Sequence, residues 1–91
     1  MSAASPPDGE LNFATVPAWL PRLDALAAAG RVDLSRVSRA DSAGLALLLE
    51  LRRRCQARGV ELHIVGAGEQ VLTLARFFGL EKILNFEREP A

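Results

Sequence analysis

The chain has 91 residues, of which 49% are hydrophobic and 24% charged, with eleven basic side chains against eleven acidic ones. That length holds one small domain, burying roughly 60–65% of the surface its unfolded form exposes, and the balanced charge argues against a disordered chain or a nucleic-acid partner. One cysteine excludes an internal disulfide and a Cys-based zinc site, one histidine excludes a His-rich metal site, and no apolar run reaches the ~18 residues that direct membrane insertion needs.

Residues 1–9 are small, polar and Pro-rich, which predicts a flexible tail. They hold no basic segment followed by an apolar one, so no signal peptide is expected and the reduced cytoplasm is the expected compartment. Residues 10–16 alternate apolar and polar, a short strand with Leu11 and Phe13 on one face. A helix follows, entered through Pro17 and Pro21 with Thr15 as N-cap. Its apolar stripe is Trp19, Leu20, Leu23, Leu26 and Ala27, and Gly30 closes it. Residues 31–34 read as a second strand and residues 35–40 as a loop.

The strongest helix signal begins at Asp41 or Ser42 and ends at Ala57, before Gly59. Residues 60–66 alternate as a strand, and a further helix spans about 69–78. Leu80, Ile83 and Leu84 suggest a last short strand or packed turn, and residues 87–91 fray. Strands alternating with helices predict βαβ crossovers and a mostly parallel sheet.

Few side chains offer chemistry. Asp33 and Asp41 are acids near strand ends, with no base and nucleophile spaced to pair, so no enzyme activity and no cofactor are expected. Gly66-Ala67-Gly68 is a weak phosphate signal without a third glycine or a lysine. Arg52, Arg53, Arg54 and Arg58 form a solvated helix end, Cys55 falls on a core stripe, and His63 has no second ligand nearby.

Asp41-Ser42-Ala43-Gly44-Leu45 stands apart, where a polar loop meets an apolar helix. Asp41 or Ser42 can cap the helix. Gly44 costs up to about 1 kcal/mol relative to alanine in a first turn, which suits close approach of another backbone or a partner. Ser42 is a cap, a contact or a phosphorylation point. Gly44, Leu48, Leu51 and Cys55 share one helix face, flanked by Leu45 and Leu47. Ala43, Ala46 and Leu49 fall outside that stripe and make a dockable surface beside Ser42.

The run VDLSRVSRADSAGLALLL at residues 32–49 resembles the signature of STAS domains. Within that family it is most similar to the small subunits of Mla-type phospholipid-transport ABC complexes. GVELHIVG at 59–66 and LARFFGLEKIL at 74–84 fit more loosely, and the likeness covers about residues 10–84. The resemblance implies an α/β STAS-like fold over residues 10–86, with a small mostly parallel (mixed) sheet and helices packed on one face. It implies a docking surface from Ser38 to Leu47, with Ser38, Arg39, Asp41, Ser42, Ala43, Ala46 and Leu47 as contacts. The implied partner is an ABC ATPase subunit, placing a non-enzymatic regulatory subunit at the cytoplasmic face of the inner membrane, in phospholipid traffic that preserves outer-membrane lipid asymmetry. The alternative it implies is an anti-sigma-factor antagonist switched by phosphorylation of Ser42. The Mla-type subunits usually carry Thr at this position, and Ser keeps the hydroxyl. STAS domains normally open with a β-hairpin, of which this sequence offers only the second strand. The first strand is therefore expected to be absent, leaving a sheet edge open to a homodimer.

Overall fold

Polar side chains end the first strand early. In the computed structural model, which describes residues 6–87, β1 is only Gly9–Leu11. Asn12 Oδ1 accepts from the Ala14 and Thr15 amides at 2.9 and 3.1 Å, and Thr15 Oγ1 accepts from the Asn12 amide at 2.9 Å and donates to the Glu10 carbonyl at 2.7 Å. These local bonds offer the backbone a turn in place of a ladder. The expected strand over 10–16 is thus corrected. Leu11 is buried, whereas Phe13 points outward at 84% exposure. Thr15 precedes the next helix but makes no side-chain cap bond there. Pro7 is buried and β1 starts at Gly9, so part of the expected tail is packed structure. Glu87, expected to fray, lies in a strand, and residues 1–5 and 88–91 lie outside the described residues.

The expected single helix is divided into α1 (Val16–Trp19), a 3-10 turn (Leu20–Arg22) and α2 (Leu23–Ala29). Pro21 has no amide to continue an α-helical ladder. The break turns Leu20 outward to 41% exposure, while Trp19, Leu23, Leu26 and Ala27 stay buried.

Residues 31–40 form two strands. β2 (Arg31–Asp33) pairs in parallel with β4 (His63–Val65), matching Val32 to Ile64. The Val37 amide then donates to the Leu34 carbonyl at 2.9 Å, and β3 (Val37–Ala40) pairs in parallel with β1, where a loop was expected. Its burial pattern is buried, exposed, exposed, buried, which hides the strand from a period-two search. α3 (Ser42–Ala57) and α4 (Glu69–Phe77) match their expected bounds closely. The last strand is β5 (Phe86–Glu87), parallel to β4, not residues 80–84, which form a turn anchored by buried Leu84. The strand orders are β1-β3 and β2-β4-β5, and every pairing described is parallel. Among the described residues no strand precedes β1 and no helix is long and apolar enough to cross a membrane.

α3 carries the core. It buries Gly44, Leu45, Leu47, Leu48, Leu51 and Cys55 and packs on α2. Burial pushes the Cys55 thiol up in pKa, against a smaller effect of Arg58, so it stays a protonated packing group. On the solvent side Arg53 and Arg54 bond Glu50 at 2.7 to 2.9 Å and hold its carboxyl down to about 2. Within the basic end of α3, Arg53 and Arg54 are thus ion-paired.

Candidate functional site

Asp41 builds the site by using both of its oxygens. It stands at the N-cap of α3 in extended conformation, and Oδ1 accepts from the Ala43 amide at 2.8 Å and the Gly44 amide at 3.1 Å. Oδ2 accepts from the Phe13 amide at 3.2 Å, across to the β1–α1 turn. The Asp41 amide donates to the Leu11 carbonyl at 3.0 Å. One residue therefore ties the start of α3 to the end of β1 and the turn after it.

The Asp41 carboxyl loses some solvation, which raises its pKa, but the Gly44, Phe13 and Ala43 amides outweigh this and hold it below the usual aspartate value. A depressed carboxylate contributes stability that is full above its unfolded pKa and lost as pH falls through the folded one. Asp41→Asn is therefore expected to flatten part of the loss of Tm below about pH 4. Thermal melts across pH 2–6 check this, and a slope equal to wild type would remove Asp41 from acid unfolding. Asp33 and Glu50 are also depressed, so some slope persists.

Capping thus falls to Asp41, which frees Ser42. Ser42 is exposed, and its hydroxyl makes no hydrogen bond among the described residues. Ala46 is exposed and Ala43 half-buried beside it, while Ser38 and Arg39 are exposed on β3. Ser42, Ala43 and Ala46 stand on the first turns of α3, and Ser38 and Arg39 on the strand that leads into it. Leu47 does not join them. It is 5% exposed and packs in the core, which corrects its expected place on the docking surface. It lies about 60° from Gly44 around the helix, within an apolar stripe widened by α2 on one flank and the sheet on the other.

Gly44 is explained by the chain's own backbone. A Cβ there would lie 2.5 Å from the Leu11 carbonyl oxygen and 3.0 Å from Leu11 Cβ. Gly66 has a similar reason, with φ +73° and a Cβ position 2.7 Å from Asp33 Oδ1. In the Gly66-Ala67-Gly68 turn, packing accounts for Gly66, while a Cβ at Gly68 would meet open space. The turn borders an open cleft of about 1030 Å³ at the C-terminal ends of β2, β4 and β5, lined by Asp33, Glu69, Glu81 and Glu87 with Arg76 and Lys82. Asp33 bonds the Ser35 amide at 2.9 Å and Arg76 bonds Glu81 at 3.3 Å, so these groups pair with neighbours within the chain. Among the described residues no three His, Cys, Asp or Glu side chains come together to hold a metal.

Two contributors escaped the sequence reading. Gln70 of α4 accepts from the Ala40 amide and donates to the Ala40 carbonyl, both at 2.8 Å, clasping the strand that leads into Asp41. Phe13 adjoins the site through its amide. Its signal was the Asn12 to Thr15 spacing, which marks a turn that can point a side chain outward.

Comparison with known proteins gives concordant likenesses. The family model described as Mlab, STAS domain matches residues 8–85. The intermembrane phospholipid transport system binding protein MlaB of Escherichia coli K12 is 40% identical over 73 residues, covering 79% of this chain and 75% of that protein. The Shigella flexneri protein of the same name matches to the same extent. Among solved structures, a Thermotoga maritima protein described as an anti-sigma factor antagonist superposes with a TM-score of 0.77 at 20% identity, covering 92% of this chain and 75% of that one. The anti-sigma factor antagonist SpoIIAA in its unphosphorylated form does so at 0.62 and 18% identity, over 92% and 74%. The two structures establish the shared fold.

Proposed function

This chain belongs to the STAS domain family, of the MlaB type, and from that premise we propose that it is a non-enzymatic subunit of a phospholipid-transport ABC complex that docks on the cytoplasmic ATPase subunit. The docking surface is Ser38, Arg39, Ser42, Ala43 and Ala46, held in place by Asp41. The observation that carries this reading is the exposed Ser42 hydroxyl, uncommitted among the described residues and set beside Ala43 and Ala46. Small side chains around a hydroxyl let a partner backbone approach closely, and the Asp41 cap makes that surface rigid before binding. The domain sits at the inner membrane through its partner. It acts by binding one arrangement of the ATPase better than another, which shifts the population of the transporter in the service of outer-membrane lipid asymmetry.

Ser42→Lys places a long charged side chain in the middle of that contact. Its Tm is expected to match wild type, because Asp41 keeps the cap. Co-purification with the cognate ATPase subunit is expected to fall at least about tenfold, from an uncompensated charge at the interface. Undiminished complex formation would take Ser42 out of the surface.

One observation also favours a second reading. A free hydroxyl at a helix N-terminus accommodates a phosphate, since the first-turn amides and the helix dipole favour an anion. An anti-sigma-factor antagonist switched at Ser42 would use this. Incubation with a cognate serine kinase and ATP, followed by intact mass, separates the two: a stoichiometric phosphate on Ser42 favours the switch.

A further inference from the structure

Phe13 is the most exposed large hydrophobic side chain among the described residues, at 84%. Its backbone is nevertheless tightly held. Asn12 and Thr15 side chains bond the amides and carbonyls around it, and its own amide is fixed on Asp41 Oδ2. An exposed aromatic on a rigid turn loses little conformational freedom when bound, and such residues dominate interface energetics. Since Asp41 Oδ1 caps the helix on which Ser42 stands and Oδ2 holds the Phe13 amide, the turn that bears Phe13 adjoins the helix start that bears Ser42. The Asp41 carboxylate beside the turn accepts three backbone amides, and Arg39 is exposed on the strand before it. The partner cavity complementary to an exposed phenyl ring is apolar.

We infer that Phe13 is the anchor residue of the docking surface, seating its ring in an apolar cavity of the ATPase subunit next to the contact made by Ser42. This rests on the docking reading above and adds a specificity-determining residue to it. Phe77 is the comparator. It is 81% exposed on α4, but its ring meets Phe78 edge-on at 5.3 Å, and no bond ties it to Asp41.

The test titrates intact chains with the cognate ATPase subunit by calorimetry. Phe13→Ala leaves every backbone bond of the turn in place, so its Tm is expected to stay at the wild-type value. Its affinity is expected to fall about 10- to 100-fold, the range for losing an anchor aromatic. Phe13→Leu is expected to recover part of the loss, and Phe77→Ala to bind as wild type. If Phe13→Ala binds normally while Ser42→Lys does not, the anchor is overturned and docking stands. If neither weakens binding, both fall. An equal loss in Phe77→Ala reads as general surface stickiness and also overturns the anchor, as does a loss that tracks a lowered Tm.

Discussion

Gly44→Ala is expected to destabilise the domain by about 1–3 kcal/mol, although alanine is the best helix former and glycine among the poorest. Propensity alone favours the substitution by about 1 kcal/mol. Packing opposes it. The new Cβ would sit 2.5 Å from the Leu11 carbonyl oxygen, inside any van der Waals contact. That oxygen is not free to retreat, because it accepts the Asp41 amide at 3.0 Å. Relieving the clash means moving α3 off β1 or breaking that bond, and either disturbs the clasp that presents Ser42. For a domain of this size each kcal/mol shifts Tm by roughly 4–8 °C. A thermal melt of Gly44→Ala should therefore fall well below wild type, with weaker docking at temperatures where it is still folded. A Tm at or above wild type would show that β1 can yield, and the close approach would lose its role.

Leu47→Ala is expected to cost about 2–5 kcal/mol, the range for truncating a buried leucine and leaving its cavity. Total stabilities are about 5–15 kcal/mol, so this is a large fraction. The variant also separates core from surface. Leu47 is 5% exposed, whereas Ala46 beside it is exposed. Chemical denaturation should show the loss without any partner, and docking should follow the folded fraction alone. A stable Leu47→Ala domain with impaired docking would restore Leu47 to the interface.

How much of this was legible in the residues differs by element. α3 and α4 were legible because their apolar spacing runs over many turns and their starts carry strong signals, Asp41 for one and the Gly-rich turn for the other. β3 was not legible. Val37-Ser38-Arg39-Ala40 does not alternate, and it is a strand because β1 lies alongside to accept and donate hydrogen bonds. β5 was hidden in the same way, in a polar stretch that pairs with β4. Phe13 followed the period of a strand, but Asn12 and Thr15 fold the backbone back at that point, and the ring turns outward.

From its residues alone the chain determined its α/β class, the amphipathic α3 and the STAS signature that runs through it, since each depends on neighbours a few positions apart. Tertiary structure decided the division of labour at the head of α3. Asp41 or Ser42 could have capped; Leu47 or Ala46 could have faced out; Gly44 could have served a partner or the chain itself. Those choices depend on where β1, the turn after it and α2 come to rest against the helix, contacts between groups up to about thirty residues apart in sequence. Once β1 occupies the ground in front of Gly44 and Asp41 commits one oxygen to the first turn of α3 and the other to the turn after β1, the Ser42 hydroxyl is what is left facing out.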